Sequence, residues 1–169
     1  MNAWDSITSR RQVRDFTTEP IPDDDLRKIL EAGRRAPSAG NGQPWDFVVV
    51  RDQDQLERLS GVWRGAGWVK GSAVTIALVT PVDGERALIN RFDLGQVAMQ
   101  MMIAATGLGI ASGQASCVDQ DLAQQVLGFP DGKQCNLLIA LGYPGDRPLR
   151  PIQKPSRRDF DNVVHVGNW

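Results

Sequence analysis

Residues 85–108 carry Phe92, Leu94, Val97, Ala98, Met101, Met102, Ile103, Ala105 and Leu108, spread around most of the circumference of a helix. A helix that is apolar on most sides must be buried on most sides. The stretch therefore predicts either the central helix of a monomer or a helix set in a subunit interface. Gly95, Ala98, Ala104 and Ala105 are small enough to let another helix approach closely. The apolar region 97–113 is broken by Gln100, Thr106 and three glycines. It falls short of the ~20 residues that a membrane span needs.

The rest of the chain must supply what that helix packs against. Its 169 residues suggest one domain spanning 1–169, long enough to bury roughly 70% of its extended surface without staples. Val74-Thr75-Ile76-Ala77-Leu78-Val79 and Leu137-Leu138-Ile139-Ala140-Leu141 read as strands buried on both faces, and 46–50 as a third strand. Trp4, Ile7, Val13 and Phe16 suggest an amphipathic helix over 4–16, on which Arg10, Arg11 and Arg14 would point to one side. Asp23 reads as the N-cap of a helix with Leu26, Ile29 and Leu30 on its apolar stripe, ended by Gly33 and Pro37. Residues 54–59 form a short helix. Asp119 caps another, through Leu122, Val126 and Leu127, that Gly128 and Pro130 stop. The tail closes on Val163-Val164-His165-Val166, an extra strand or an extended arm.

Several functions fall away at this level. The net charge is −1, so no global field recruits nucleic acid or an anionic membrane. Two cysteines and one histidine without CxxC spacing make a poor metal set and fit a reduced, cytoplasmic chain. The N-terminus carries no basic-then-apolar signal pattern. Gly107-Leu108-Gly109-Ile110-Ala111-Ser112-Gly113 fails as a dinucleotide fingerprint, because its third glycine comes one place late and it follows a helix.

Two features carry chemistry. The loop 35–45 has prolines at Pro37 and Pro44, turn-making Gly40 and Gly42, short polar side chains at Ser38, Asn41 and Gln43, and a flat one at Trp45. It suits contact with something flat and polar, although an ordinary connector with a core tryptophan explains the same residues. Basic clusters lie near both ends: Arg10, Arg11 and Arg14, then Lys154, Arg157 and Arg158. Planar guanidinium forks suit a shared dianion such as a phosphomonoester. A solvated basic face is the plainer reading of either cluster.

Ser9-Arg10-Arg11-Gln12-Val13-Arg14-Asp15-Phe16 and Ala36-Pro37-Ser38-Ala39-Gly40-Asn41-Gly42-Gln43-Pro44-Trp45-Asp46-Phe47 together resemble the nitroreductase family of FMN-dependent oxidoreductases. Asp93-Leu94-Gly95, Gly107-Leu108-Gly109, Leu127-Gly128-Phe129-Pro130, Leu141-Gly142-Tyr143-Pro144 and the closing Val163-Val164-His165 with Trp169 follow in the family's order. The resemblance implies an α+β fold, a central mostly antiparallel sheet flanked by helices, in an intertwined homodimer with FMN at the interface. The helix 85–108 would then be the dimer helix. Arg10, Arg11, Gln12 and Arg14 would hold the phosphate and ring edge of one flavin. Pro37, Ser38, Ala39 and Asn41 of the other subunit would touch the same flavin. The segment 112–116, with Gly113 and Gln114, would lie along the isoalloxazine. Arg157, with Arg158 or Lys154, would close on the phosphate.

The implied activity is hydride transfer from NADH or NADPH through flavin N5 to a nitroaromatic, quinone or similar small electrophile, by a ping-pong scheme without catalytic side chains. The alternative is a flavin-binding homodimer for storage, sensing or stress response. Gln12 stands where serine is common in the family. The short region 61–70 implies an open pocket, with Trp63 or Trp68 lining it or else packed in the core. Cys117, next to the implied flavin segment, reads either as a reactive thiol or, more plainly, as a buried, inert one, and His165 reads as a structural tail residue.

Overall fold

The computed structural model describes every residue except Asp83 and Asp146. Its helices are α1 (Ala3–Ser9), α2 (Asp23–Arg34), α3 (Gln53–Leu59), α4 (Ala87–Gly107) and α5 (Gln120–Leu127). Its strands are β1 (Asp46–Val50), β2 (Val74–Pro81), β3 (Ala111–Ser116) and β4 (Lys133–Gly142). They form one sheet in the order β1-β2-β4-β3, and every neighbouring pair is antiparallel.

The two continuous apolar runs become the central strands, β2 and β4, because each face of the sheet is covered. On one face, Ile76 and Leu78 of β2 and Ile139 and Leu141 of β4 pack on Leu26 and Ile29 of α2 and on Val97, Met101 and Met102 of α4. On the other face, Ala77, Val79 and Leu138 pack on Leu56 and Leu59 of α3 and Ala123 and Val126 of α5. Helix α2 meets α4 closely at Gly33: a Cβ there would come within 2.1 Å of the Met101 methyl carbon. Asp119 does cap α5, accepting from the Leu122 N–H, and Gly128 ends it in the left-handed conformation at φ 70°.

The structure differs from the sequence reading at three places. The helix foreseen over 4–16 stops at Ser9, and the chain from Arg10 onward is extended. Gln12 bridges Ser112 in parallel and Phe16 bridges Pro144. The Val13 N–H donates to the Ser112 carbonyl at 3.0 Å, and the Thr17 N–H to the Tyr143 carbonyl at 2.9 Å. Pairing along the outer side of β3 covers an otherwise open edge and overrides the helical spacing. At α2 the N-cap is Pro22, not Asp23, which is already helical and pairs with Arg51 at 2.6 Å. The third change is β3 itself. Ala-Ser-Gly-Gln-Ala-Ser has no strand-forming side chain, yet the whole stretch is a strand because it pairs residue for residue with β4.

Helix α4 is buried along one side only. Leu94, Val97, Ala98, Met101, Met102 and Ala105 face the core, while Leu88, Ile89, Phe92 and Met99 are exposed, Phe92 at 71%. The tail from Arg150 to Trp169 is exposed throughout, Trp169 at 97%. Val163–Val166 forms no strand within the chain. Among the described residues no helix is long and apolar enough to cross a membrane, and no cluster of His, Cys, Asp or Glu could hold a metal ion.

Candidate flavin site

Extended backbone alternates its side chains, so Arg10, Arg11 and Arg14 do not share one helical side as foreseen. Arg11 turns to the start of the tail, donating to the Arg147 carbonyl at 2.6 Å and the Pro148 carbonyl at 3.3 Å. Arg14 lies over the ring of Trp68, its Cζ 5.9 Å from the centroid. Arg10 is half-buried where α1 ends, and its N–H bonds the Ser6 carbonyl.

The segment is held to β3 by an unusual tie. The Gln12 side chain donates from Nε2 to the Gln114 carbonyl at 2.7 Å and accepts the Gln114 N–H on Oε1 at 3.1 Å. The amide thus imitates a strand residue and extends the ladder beyond Val13. Between these two ties sits Gly113. A Cβ there would lie 2.2 Å from the Val13 carbonyl oxygen and 2.7 Å from the Trp68 ring. Only glycine lets segment, strand and indole meet. Trp68 also packs near Phe16, with centroids 6.4 Å apart, and its indole N–H donates to the Gly65 carbonyl. Trp68 therefore braces the β3 wall from beside it, while Trp63 folds over Gly65 and stays partly exposed.

Two buried hydroxyl oxygens near this wall, Ser9 Oγ and Ser112 Oγ, have no hydrogen-bond partner. Each such orphan costs roughly 1–3 kcal/mol. They are the buried side-chain polar atoms in this state among the described residues; Ser112 lies on β3, and Ser9 ends α1 just before the segment paired with it. Local cost of this kind gathers where a fold serves something besides stability.

The Pro37–Asn41 loop is built separately, against the first half of α4. The Ala39 N–H donates to Asp93 Oδ2 at 3.0 Å, and Arg86 donates to the Ala39 carbonyl at 3.4 Å. Asp93 is 3% exposed and also accepts from Gln96. Ser38 Oγ accepts the Gln43 N–H at 3.0 Å. The sharp turning expected of Gly40 and Gly42 is distributed differently. Gly40, Asn41 and Gln43 adopt φ of 60°, 54° and 46°, whereas Gly42 is ordinary at −69°. Left-handed Asn41 and Gln43 are strained positions that the surroundings must enforce. Pro37, Ser38, Ala39 and the α4 residues Leu88, Ile89 and Phe92 line a shallow groove of about 360 Å³.

Within one chain, then, the loop contacts run to α4 and the Arg10–Phe16 contacts run to β3 and Trp68. Arg157 and Arg158 bond locally, to the carbonyls of Ser156 and Asn162, on the exposed tail. Reading the sequence missed Gln12 as a clamp, Trp68 as a brace and Asp93 as the tether of the loop. Asp93 had a visible signal, since it is the sole charged residue between Phe92 and Gly107. The clamp had none, because glutamine bonding a strand two segments away leaves no spacing to read.

The nitroreductase family model matches residues 7–81 and 65–143, and the chain belongs to that family. A protein of Archaeoglobus fulgidus, provisionally named an NADH dehydrogenase/NAD(P)H nitroreductase, is 30% identical over 96% of each chain. The FMN reductase [NAD(P)H] of Bacillus subtilis is 30% identical over 89% of this chain and 69% of its own. The solved structure of NADPH:FMN oxidoreductase from Vibrio harveyi, complexed with NAD+, superposes with a TM-score of 0.86. It covers 100% of this chain and 78% of that one at 24% identity, a likeness of fold.

Proposed function

We propose that the chain is an FMN-dependent NAD(P)H oxidoreductase acting as a homodimer. The observation that carries this reading is the wall formed by Arg10–Phe16 and β3. An arginine-bearing segment is clamped by Gln12 along a bare-glycine strand, with an indole behind it. Such a donor set fits a phosphate joined to a planar ring system: guanidinium groups for the dianion, and a flat backbone surface for the ring. The names of the relatives from Bacillus subtilis and Vibrio harveyi point to the same group.

Arg10 and Arg14 would bind the phosphate and ring edge, with Arg11 fixing the segment through its bonds to the tail. Gly113 and Gln114 would present backbone to the ring face. Gln114's N–H and carbonyl are both engaged by Gln12, so polar recognition there falls to its side chain. Pro37, Ser38, Ala39 and Asn41 would cover the ring from the partner, and Arg157 and Arg158 would close on the phosphate with the tail packed against that partner. When bound, FMN would supply the redox chemistry, hydride exchange between NADH or NADPH and a nitroaromatic, quinone or similar electrophile.

The dimer reading rests on exposed apolar surface. Phe92, Gly95, Met99 and Ile103 line a groove of about 570 Å³ on the outer side of α4, and Gly95 has open space where a Cβ would stand. Phe160, Val163, Val166 and Trp169 add an uncovered apolar arm. Contiguous patches of this kind mark association surfaces. The test is the visible flavin band of the purified protein during titration with NADH and then NADPH under argon. Rapid bleaching followed by recovery on adding a quinone is expected. Protein that stays colourless with added FMN overturns the cofactor reading, and coloured protein that neither nucleotide bleaches overturns the enzyme reading.

A further inference from the structure

Two thiols lie outside the candidate site. Cys117 follows the last residue of β3, and Cys135 is the third residue of β4. Both are free and buried. A bulge brings them to one face of the sheet. On β4, Leu141 and Ile139 face α4, with Leu137 packed against the same cluster, while Leu138 faces α3 and α5. Unbroken alternation would send Cys135 with Leu137, toward α4. Instead the register with β2 slips, so that Leu137 pairs with Leu78, Cys135 pairs with Val79, and Asn136 is the extra residue. Asn136 donates to Thr80 Oγ1 at 2.6 Å. The slip turns Cys135 onto the α3–α5 face, into the apolar cluster that holds Cys117.

The two residues are also fixed to each other through one side chain. Gln120 Nε2 donates to the Cys117 carbonyl at 3.0 Å and the Cys135 carbonyl at 2.8 Å, while its Oε1 accepts the Cys135 N–H at 2.9 Å. Cys117 Sγ donates to the Asp119 carbonyl and Cys135 Sγ to the Leu137 carbonyl, each at 3.9 Å. The Cys135 thiol lowers the pKa of Cys117, while Cys117 and then burial hold Cys135 protonated well above the ordinary thiol value. Cys117 retains slight exposure and Cys135 has none. One sulfur is thus suited to attack and the other to resolve.

We propose that Cys117 and Cys135 are a hydroperoxide-responsive redox pair that closes to an intrachain disulfide. The Cys117 thiolate attacks the terminal peroxide oxygen. The O–O bond breaks, the alcohol or water leaves with a proton, and Cys117 becomes a sulfenic acid. The Cys135 sulfur then attacks the Cys117 sulfur. The S–O bond breaks, and water leaves carrying the Cys135 proton. Two thiols and one hydroperoxide give one disulfide, one alcohol or water, and one water. The sulfurs together lose two electrons, which reduce the peroxide.

The test treats the full reduced chain, freed of reductant, with hydrogen peroxide, followed by denaturing alkylation, intact mass and non-reducing peptide mapping. The expected result is the loss of two hydrogens and of both alkylatable thiols. A linked peptide pair containing Cys117 and Cys135 should appear, and dithiothreitol should reverse it. In Cys135→Ser, Cys117 should stop at the sulfenic acid and be trapped by dimedone. In Cys117→Ser, Cys135 should stay an unmodified thiol. The wild-type map decides the matter even where a variant folds poorly. Disulfides between chains, stepwise oxygen gain at Cys117 without a link, or two thiols still alkylatable after methionines have oxidised would each overturn the proposal.

Discussion

At the scale of single residues, the candidate site depends on one missing side chain and a few charges. Gly113→Ala places a Cβ against the Val13 carbonyl, a backbone atom that cannot swing aside. The segment must move off β3, at a cost of ~1–3 kcal/mol as in other overpacked interiors. Chemical denaturation of Gly113→Ala should show that loss, together with weaker FMN retention. Normal stability and retention would mean that the segment does not need its close approach. The arginines act differently. Arg10→Ala or Arg157→Ala should weaken FMN binding by ~1.5–3 kcal/mol each, the usual range for a hydrogen bond to a charged group. Calorimetry with FMN reads this directly, and unchanged affinity in both variants removes the phosphate assignment.

At the scale of elements, the legible parts were those whose own side chains decide their state. The β-branched and leucine runs of β2 and β4 could only be buried strands, and the caps of α5 were written out as Asp119 and Gly128. What stayed hidden was decided by a neighbour. Residues 10–16 have helical spacing but lie extended because β3 offers its edge, and β3 has no strand propensity but is held by β4. The candidate site followed the same division. Its arginines and its Pro-Ser-Ala-Gly-Asn loop were proposed from the sequence, whereas the Gln12 clamp exists only once two distant segments are side by side. Helix α2 carries a prediction of its own. At its end Glu31 accepts from Arg34 at 2.6 and 2.8 Å and from Arg35 at 2.6 Å. The Arg34 bonds first, then the Arg35 bond, hold its carboxylate at about 2 rather than the ordinary 4.5. The folded value lies below the unfolded one. This staple is therefore complete above the unfolded value and is lost as the pH falls toward about 2. Carboxyl NMR of Glu31 should give a midpoint near that value, and Arg34→Ala should raise it.

At the scale of the whole molecule, the exposed face of α4 and the bare tail predict that folding, association and flavin retention are linked. Dilution followed by analytical ultracentrifugation and flavin fluorescence should show dimer and bound FMN lost together. A monomer that keeps its flavin would contradict a site shared between copies. The placement of the Pro37–Asn41 loop on α4, apart from the arginine segment on β3, has a genetic corollary. On the proposed shared site, a chain lacking Arg10 and a chain lacking the Asp93 tether would each leave both sites incomplete in a pair with itself. Joined as a hybrid, they would contribute the sound loop of the first and the sound arginine of the second to the same site, leaving the other doubly damaged. Co-expression should therefore rescue half the flavin occupancy of a hybrid pair, a complementation that no chain with a self-contained site could show.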